Sequence, residues 1–139
     1  MPAIQKSLRI PSETLDEIEA IALESGRDFS SITKDLLAEA LKSRRCPGIV
    51  SADGVSGRKA RVAGTGLEVW EIIATYKSVG HDFARLRNAY HWLTEQQLRA
   101  ATGYYLAYPT EIDELIEKNE SWTREKITEQ YPYLHSGGA

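Results

Sequence analysis

Residues 4–10 alternate between two faces, and this short pattern constrains the fold more than any other feature of the chain. One face is mostly apolar and the other is polar: Ile4, Leu8 and Ile10 against Gln5, Ser7 and Arg9. A period of two predicts a β-strand, which Pro11 ends because proline donates no hydrogen bond to a sheet. An isolated strand is not stable in water, so this one needs a second strand from elsewhere to pair with.

Two amphipathic helices are predicted directly after the strand. Ser12 is a favourable N-cap for the first helix, and Gly26 can take the left-handed conformation that ends it. The second helix is predicted from about Phe29 to Ser43. Both carry apolar residues at helical spacing: Leu15, Ile18, Ile21 and Ala22, then Phe29, Ile32, Leu36, Leu37, Ala40 and Leu41. One strand and two short helices cannot bury both stripes alone. Two copies can pair their strands and share a four-helix core, so we predict a homodimer.

The order of strand, proline, helix, glycine and helix resembles the ribbon-helix-helix repressors of the Arc and MetJ type. The residues that carry the resemblance are the Leu8–Glu13 step, the Ser25–Arg27 turn and the Leu36–Leu41 segment. It implies that residues 1–45 form a dimeric DNA-binding module whose solvent-facing strand residues enter the major groove. Lys6 departs from the pattern because an apolar residue is usual at its position, although its long side chain can carry the ammonium group to solvent.

The residues that this resemblance places in the groove are Gln5, Ser7 and Arg9. Arginine can bond guanine O6 and N7, glutamine can bond adenine N6 and N7, and serine can bond either base. At the start of the second helix, free backbone N–H groups suit a DNA phosphate, and the hydroxyl of Ser30 or Ser31 can add to them. The alternatives are that the strand residues form a plain solvated face and that the serines only cap the helix.

Composition and charge restrict the class of protein. The net charge of −3 over 139 residues argues against an indiscriminate polyanion binder, and the sequence has no run of 18 apolar residues and no signal-peptide segment. Cys46 is the single cysteine and cannot form an internal disulfide, which fits a reducing compartment. Charge is distributed unevenly, with a basic segment at 42–61 and an acidic one at 111–120. We expect a cytoplasmic protein that does not contact a membrane.

A linker is predicted from residue 46 to residue 66. Pro47 and Gly48 break the helical pattern, and several glycines surround the segment Arg58–Val62, which is predicted to form a small β-hairpin or an extended arm. The arginines of this basic arm have three possible roles. Arg58 and its neighbours can contact DNA phosphate, bind a protein partner, or pair with the acidic segment of a neighbouring chain.

Residues 67–118 are predicted to form a bundle of three or four short helices. The motifs Thr65-x-x-Glu68 and Thr94-x-x-Gln97 are capping boxes that open two of them, and Pro109 stops a third. Aromatic residues are expected to fill the core: Trp70, Tyr90, Trp92 and Tyr105. The pattern is compatible with a helix-turn-helix-like fold, although any small bundle produces it. The predicted fold class is therefore mainly α, with a ribbon-helix-helix module in front of a helical bundle.

A second resemblance covers residues 46–118. The segments that carry it are Gly57–Arg61, Gly64–Trp70, Trp92–Thr94 and Tyr108–Asp113. They are similar to the domain of unknown function 433, a family that includes VapB-type antitoxins, some with a ribbon-helix-helix domain in front. The resemblance implies an antitoxin of a type II toxin–antitoxin pair. Such a protein is a dimeric autorepressor that binds operator DNA and neutralises a PIN-type ribonuclease toxin, as a dimer or in a higher oligomer with the toxin.

The C-terminal tail, residues 119–139, is the segment expected to bind the toxin. The helical pattern loosens after Glu120, yet the tail keeps apolar residues of the types that most often anchor interfaces. The residues expected to bind the toxin are Trp122, Arg124, Lys126 and Tyr131. The two basic residues among them could enter the acidic metal site of a PIN-type nuclease. Alternatively, Trp122 and Tyr131 pack back onto the bundle of their own chain.

No catalytic site is expected. The three histidines are scattered, and none lies three or four residues from another histidine or from Cys46, so no metal site and no cofactor is predicted. The sequence also lacks a motif that pairs a nucleophile with a base. We therefore expect a non-enzyme. The alternative function is a free-standing ribbon-helix-helix transcriptional regulator whose C-terminal module senses a small ligand or assembles dimers into tetramers.

Overall fold

The computed structural model of the chain describes residues 2–54 and 57–130. The chain divides into two compact units, Met1–Lys42 and Ser43–Ala139. The described residues form six helices and one two-stranded antiparallel sheet, so the prediction of a mainly helical protein is confirmed. None of these helices is both long enough and apolar enough to span a membrane.

The N-terminal unit is built on helices α1 (Ser12–Ser25) and α2 (Phe29–Arg45). The predicted end of α1 is confirmed: Gly26 has a φ of 65°, and the backbone amides of Gly26 and Arg27 bond back to the carbonyls of Leu23 and Ala22. The predicted Ser12 cap is wrong. Ser12 is the first helical residue, and the residue at the N-cap position is Pro11, which has no side-chain group to cap with.

The strand predicted at residues 4–10 is not formed in the single chain. The described residues 2–11 adopt neither helix nor strand, and Ile4 and Leu8 are 85% and 75% exposed. The physical reason is that a β-strand is stable only when it pairs with another strand. Backbone N–H and C=O groups of a strand need a partner strand, and one copy of the chain offers none here.

The C-terminal unit begins with a β-hairpin, which is one of the two forms predicted for the segment around Arg58–Val62. Strand β1 (Ile49–Gly54) pairs antiparallel with β2 (Gly57–Val62), so that Ile49 faces Val62 and Asp53 faces Arg58. Three hairpin residues on one face are buried in the core: Ile49, Ala60 and Val62. Cys46, which precedes the hairpin, is buried beside them. The segment Arg58–Val62 is extended as predicted. Its partner strand was missed because the positions that share a face with Ile49 are Ser51 and the exposed Asp53, so the sequence shows no apolar alternation there.

Four helices follow the hairpin: α3 (Val69–Ser78), α4 (Phe83–Ala89), α5 (Glu95–Ala107) and α6 (Pro109–Gln130). The capping box of Thr94 and Gln97 is confirmed. The Gln97 amide donates to Thr94 Oγ1 at 3.1 Å, and the Thr94 amide donates to Gln97 Oε1 at 2.9 Å. The arrangement of these helices as a helix-turn-helix-like fold stays a prediction.

The other predicted capping box is displaced by three residues. Glu68, not Thr65, precedes α3, and its amide donates to Glu71 Oε2 at 3.1 Å. Thr65 instead closes the turn after the hairpin. Its hydroxyl donates to the Val62 carbonyl at 2.8 Å and accepts from the Leu67 amide at 3.1 Å. A threonine can stabilise either a turn or a helix start, so the sequence motif alone does not distinguish the two.

Helix α6 is longer than predicted. The bundle was expected to end at residue 118 and the helical pattern to loosen after Glu120, but α6 continues to Gln130. Neither proline nor glycine occurs between Pro109 and Gln130, and the segment is rich in glutamate and lysine, which favour helices. The loss of apolar periodicity after Ile116 therefore marks the end of burial and not the end of the helix.

The helices of the C-terminal unit share one core. Its fully or nearly fully buried members are Val69, Ile72, Ile73, Leu86, Leu98, Ala101, Tyr104, Ile112 and Ile116. The aromatic prediction is partly wrong, since Trp92 is 61% exposed while Trp70, Tyr90 and Tyr105 are only partly buried. The buried aromatic is Tyr104, whose hydroxyl donates to Glu111 Oε2 at 2.6 Å. Burial, together with this bond, raises the pKa of Tyr104, so the phenol stays protonated and available to donate.

A polar cluster connects α3, α5 and α6 at the edge of this core. Lys77 Nζ and the Tyr105 hydroxyl both donate to Asp113 Oδ1, at 2.5 and 2.8 Å, and Lys77 Nζ lies 5.2 Å from the centre of the Tyr105 ring. The hydrogen bond from Lys77 lowers the pKa of Asp113, and the same bond raises the pKa of Lys77. The cluster fixes α6 against the other two helices.

Replacing Asp113 by Asn tests this cluster through its pH dependence. A carboxyl whose folded pKa is depressed contributes stability above its unfolded pKa of 3.8, and this stability is lost as the pH falls through the folded pKa. A lysine whose folded pKa is raised contributes below 10.5 and ceases to contribute as the pH rises through the folded pKa. We therefore expect Asp113→Asn to destabilise the C-terminal unit at neutral pH and to match the wild type in strong acid.

The loss at neutral pH should be about 1 kcal/mol or less, because both side chains are more than one-third exposed and solvent screens the pair. Urea unfolding followed by tryptophan fluorescence measures it, since all three tryptophans lie in this unit. Glu117→Gln, which removes the same charge from the exposed side of α6, controls for net charge. A difference between Asp113→Asn and wild type that persists unchanged into strong acid contradicts the assignment.

Candidate macromolecule-binding surfaces

The three residues predicted to read bases lie on one exposed segment. Gln5, Ser7 and Arg9 are all exposed, and the segment joins α1 directly, because the Pro11 carbonyl accepts the Leu15 amide at 3.0 Å. The start of α1 therefore fixes the chain only two residues after Arg9. Side chains with the donors and acceptors that base edges require are thus available to solvent.

Most of the apolar surface of the N-terminal unit is uncovered. Its buried described residues are Ala22 and Ile32, whereas its exposed large apolar ones are Ile4, Leu8, Ile21, Leu23, Phe29, Leu37 and Leu41. Scattered exposed leucines are ordinary on a protein surface, but a unit of this size with two buried residues has no core of its own. Exposure of this many large apolar side chains on a small unit favours an association interface.

The start of α2 is occupied by groups of the chain itself. The Asp28 carboxylate accepts the Ser31 amide at 2.7 Å, and the Arg27 guanidinium donates to the Ser31 hydroxyl and to Asp35. Of the two serines predicted to meet a DNA phosphate, Ser31 is therefore engaged and Ser30 is exposed. A carboxylate at a helix N-terminus takes the position that favours an anion, so a phosphate has to compete with Asp28 for it.

The hairpin holds its own arginines in place. Arg58 bonds across the strand pair to Asp53 Oδ1 at 3.2 Å and to the Ser51 carbonyl at 2.9 Å, and it remains exposed. Arg61 donates to the Asp53 carbonyl at 3.3 Å. The basic arm is thus a braced hairpin and not a free extended arm. These bonds hold its guanidinium groups in positions from which they can bind a phosphate or a carboxylate.

A groove crosses the C-terminal unit between the hairpin, the start of α3 and the middle of α6. It has a volume of about 420 Å³ and is lined by Lys59, Glu68, Trp70, Glu71, Leu115, Lys118, Asn119 and Trp122. We call it the indole groove, after its two tryptophans. The sequence did not predict this groove because its walls come from separate segments, and its α6 residues lie more than 40 residues after its α3 residues along the chain.

One wall of the indole groove is fixed by hydrogen bonds. Trp70 Nε1 donates to Glu68 Oε2 at 2.6 Å, and the Glu68 amide donates to Glu71 Oε2. The backbone of Glu68 also forms a bridge with Arg61 of β2. The Trp70 ring is therefore held in one orientation, with its N–H satisfied and its apolar surface toward the groove.

The opposite wall is carried by α6, where the helix leaves the core. Trp122 is 58% exposed, and Lys126 Nζ lies 4.8 Å from the centre of its ring. Residues four apart share a helix face, so Trp122 and Lys126 lie on one side of α6 and Arg124 lies on another. Of the four residues expected to bind a toxin, the structure thus brings two together. Tyr131 lies outside the described residues.

Helical spacing could have found part of this wall. Leu115, Lys118 and Trp122 are spaced three and four apart, which is the repeat of one helix face. The same face continues to Lys126. Nothing in the sequence places Trp70 opposite this face, because that depends on how α3 and α6 pack.

Within residues 2–54 and 57–130, histidine, cysteine and acidic side chains form no group of three or more that could hold a metal ion. Cys46 is buried in the core, and burial raises the pKa of its thiol.

A family model described as Protein of unknown function (DUF433) matches residues 49–105. This is less than half of the 139 residues, and it runs from β1 to a point within α5. The resemblance predicted over residues 46–118 is confirmed for that stretch, which contains Lys59, Glu68 and Trp70 of the indole groove. Neither a curated protein nor a solved structure matches the chain.

Proposed function

We propose that the chain is an antitoxin-like DNA-binding regulator: a homodimer that binds operator DNA through a ribbon-helix-helix unit and a protein through its C-terminal unit. The observation that carries the proposal is the N-terminal unit, which exposes both an alternating segment outside any sheet and most of its large apolar side chains. The family resemblance suggests a PIN-type ribonuclease as the partner, which the antitoxin would hold inactive.

The dimer follows from two needs that a second copy meets together. Pairing residues 4–10 of two chains antiparallel satisfies the backbone groups of both strands. It also carries the apolar faces of α1 and α2 of each copy into a common core, so that Leu8, Leu37 and Leu41 leave solvent. The polar face of the ribbon, Gln5, Ser7 and Arg9, then points outward as a doubled set of base-reading side chains.

Phosphate contacts position such a ribbon on the duplex. Ser30 at the start of α2 offers a hydroxyl and a backbone amide, and Ser31 can join it when Asp28 gives way. Arg58 offers a guanidinium group on the C-terminal unit. It serves either the DNA or the bound protein, and its pairing with Asp53 is compatible with both because a salt bridge on the surface exchanges at little cost.

A free-standing regulator is the alternative, and one cleft favours it. An open cavity of about 540 Å³ lies between the residues before β1 and the start of α5. Its polar lining includes Thr94, Gln97 and Arg99, which suits a small polar ligand. A regulator of this kind binds DNA and the ligand but captures no nuclease.

Co-purification separates the two functions. When the tagged full chain is expressed with an untagged PIN-type nuclease encoded beside its gene, we expect the nuclease to be retained and its RNA cleavage suppressed. A protein that binds operator DNA but neither retains nor inhibits the nuclease is the free-standing regulator instead.

Leu37→Asp tests the dimer. Leu37 is 61% exposed in one chain, so aspartate there leaves the single-chain fold intact, whereas in a dimer core it buries an unpaired charge. We expect sedimentation equilibrium to show a dimeric wild type and a monomeric variant that no longer binds operator DNA. Leu106→Asp, at a leucine that is 82% exposed on α5, should stay dimeric. A folded wild type that is monomeric at micromolar concentration contradicts the ribbon-helix-helix proposal.

Arg9→Ala tests the groove contact. Losing a bidentate bond to a base should cost about 1–3 kcal/mol per contact and relax the preference at one position of each half-site. Fluorescence anisotropy with DNA from upstream of the gene, and with single-base variants of it, measures both effects. Arg85→Ala, at an exposed arginine of α4, controls for the loss of positive charge. If Arg9→Ala weakens all sequences equally, the arginine contacts phosphate instead.

A further inference from the structure

We propose that the indole groove binds an acidic amphipathic helix of a partner protein. The inference rests on the proposed function in one respect only, that the C-terminal unit binds a protein. It assigns the docking surface to a site on the folded unit, formed by β2, α3 and α6, where the sequence pattern had pointed to the C-terminal tail alone.

The apolar part of the groove is an anchor point. Trp122 is 58% exposed although it is one of the most apolar side chains of the unit, and it stands across the groove from the fixed ring of Trp70. Leu115 adds a third apolar side chain to the lining. Tryptophans around a pocket that excludes water when filled are the most frequent energetic centres of protein interfaces. The occupant therefore presents apolar side chains.

The charges around the groove favour a negatively charged occupant. Glu68 and Glu71 sit at the N-terminus of α3, where the helix dipole compensates negative charge, and their oxygens accept bonds from Trp70 and from the Glu68 amide. Three lysines face these two carboxylates: Lys59 and Lys118 line the groove, and Lys126 lies over the Trp122 ring. Carboxylates that flank an apolar side chain complement this arrangement.

The shape of the groove favours a helix. Along α6 its wall repeats at Leu115, Lys118 or Asn119, and Trp122, and this helical spacing forms a ridge that a second helix can pack against. The acidic segment of this chain fits less well, since Ile112 and Ile116 within it are buried in its own core. A second copy of this chain would present the carboxylates of that segment but not the apolar side chains that the groove requires.

Two matched synthetic peptides test the proposal with the full chain. Both are helical 18-residue sequences with leucines at positions i, i+3 and i+7; one carries glutamate at the flanking positions and the other lysine. Anisotropy of a fluorescein label measures binding. We expect saturable binding of the acidic peptide and binding of the basic one that is about tenfold weaker.

Point variants place the peptide in the groove. Trp122→Ala should weaken the acidic peptide about thirtyfold, as for a central interface residue, and Lys118→Glu about fivefold or more. The control is Trp92→Ala, which removes an equally exposed tryptophan from the loop before α5 and should change the affinity less than about twofold. Circular dichroism checks that each variant stays folded.

Several outcomes overturn the proposal. They are no saturable binding, equal affinity for the two peptides, or an equal loss in Trp92→Ala and Trp122→Ala. Self-association of the wild type that Trp122→Ala abolishes shows that a second copy occupies the groove, which also overturns it. Failure of the proposed function can be told apart from failure of this inference. Peptide binding without nuclease capture contradicts only the nuclease as the partner. Nuclease capture that Trp122→Ala does not weaken contradicts only the groove as the binding site.

Discussion

The unpaired backbone of residues 4–10 is the constraint on which the N-terminal unit depends. A strand needs hydrogen-bond partners that the single chain does not supply, and α1 and α2 bury two residues between them. Both deficits have the same size and position in every copy, so the proposed symmetric dimer would meet them together: one strand would pair with the other, and each apolar face would cover its equivalent. In that proposed dimer, folding, dimerisation and the outward presentation of Arg9 would be linked in a single step.

The C-terminal unit solves the same problem within one chain. Its hairpin places Ile49 and Val62 against α3 and α5, and the cluster of Lys77, Tyr105 and Asp113 fixes α6 beside them. The core supplies most of the stability, while the cluster sets the position of α6 more than it adds free energy. The indole groove depends on that position, because its two tryptophans come from α3 and α6.

Local signals in the sequence predicted what local interactions determine. Gly26 ends α1 and Thr94 with Gln97 opens α5, because each of these needs only neighbours within four residues. Strand β1 pairs locally with β2, but its sequence lacks the apolar alternation that would reveal a strand. The groove depends on packing between distant segments, which no local pattern contains. Thr65 and Trp92 show the limit in single residues. Threonine can stabilise a turn as well as a helix start. An aromatic residue in a predicted bundle can lie at the surface as well as in the core.

Helix α6 beyond Ile116 shows what an exposed element can contribute. Isolated helices of this length are marginal in water because nucleation is costly, but here the buried first turns already provide the nucleus. Extending an anchored helix adds one hydrogen bond per residue fixed, so residues 117–126 are helical although each of them is exposed. Such a segment gains little stabilisation from packing against its own chain, and Trp122 within it stays exposed. A partner helix laid along the indole groove would supply the packing that this face lacks. Because α6 already presents the face as a helix, binding would order few residues, and little conformational entropy would be lost from the apolar contacts.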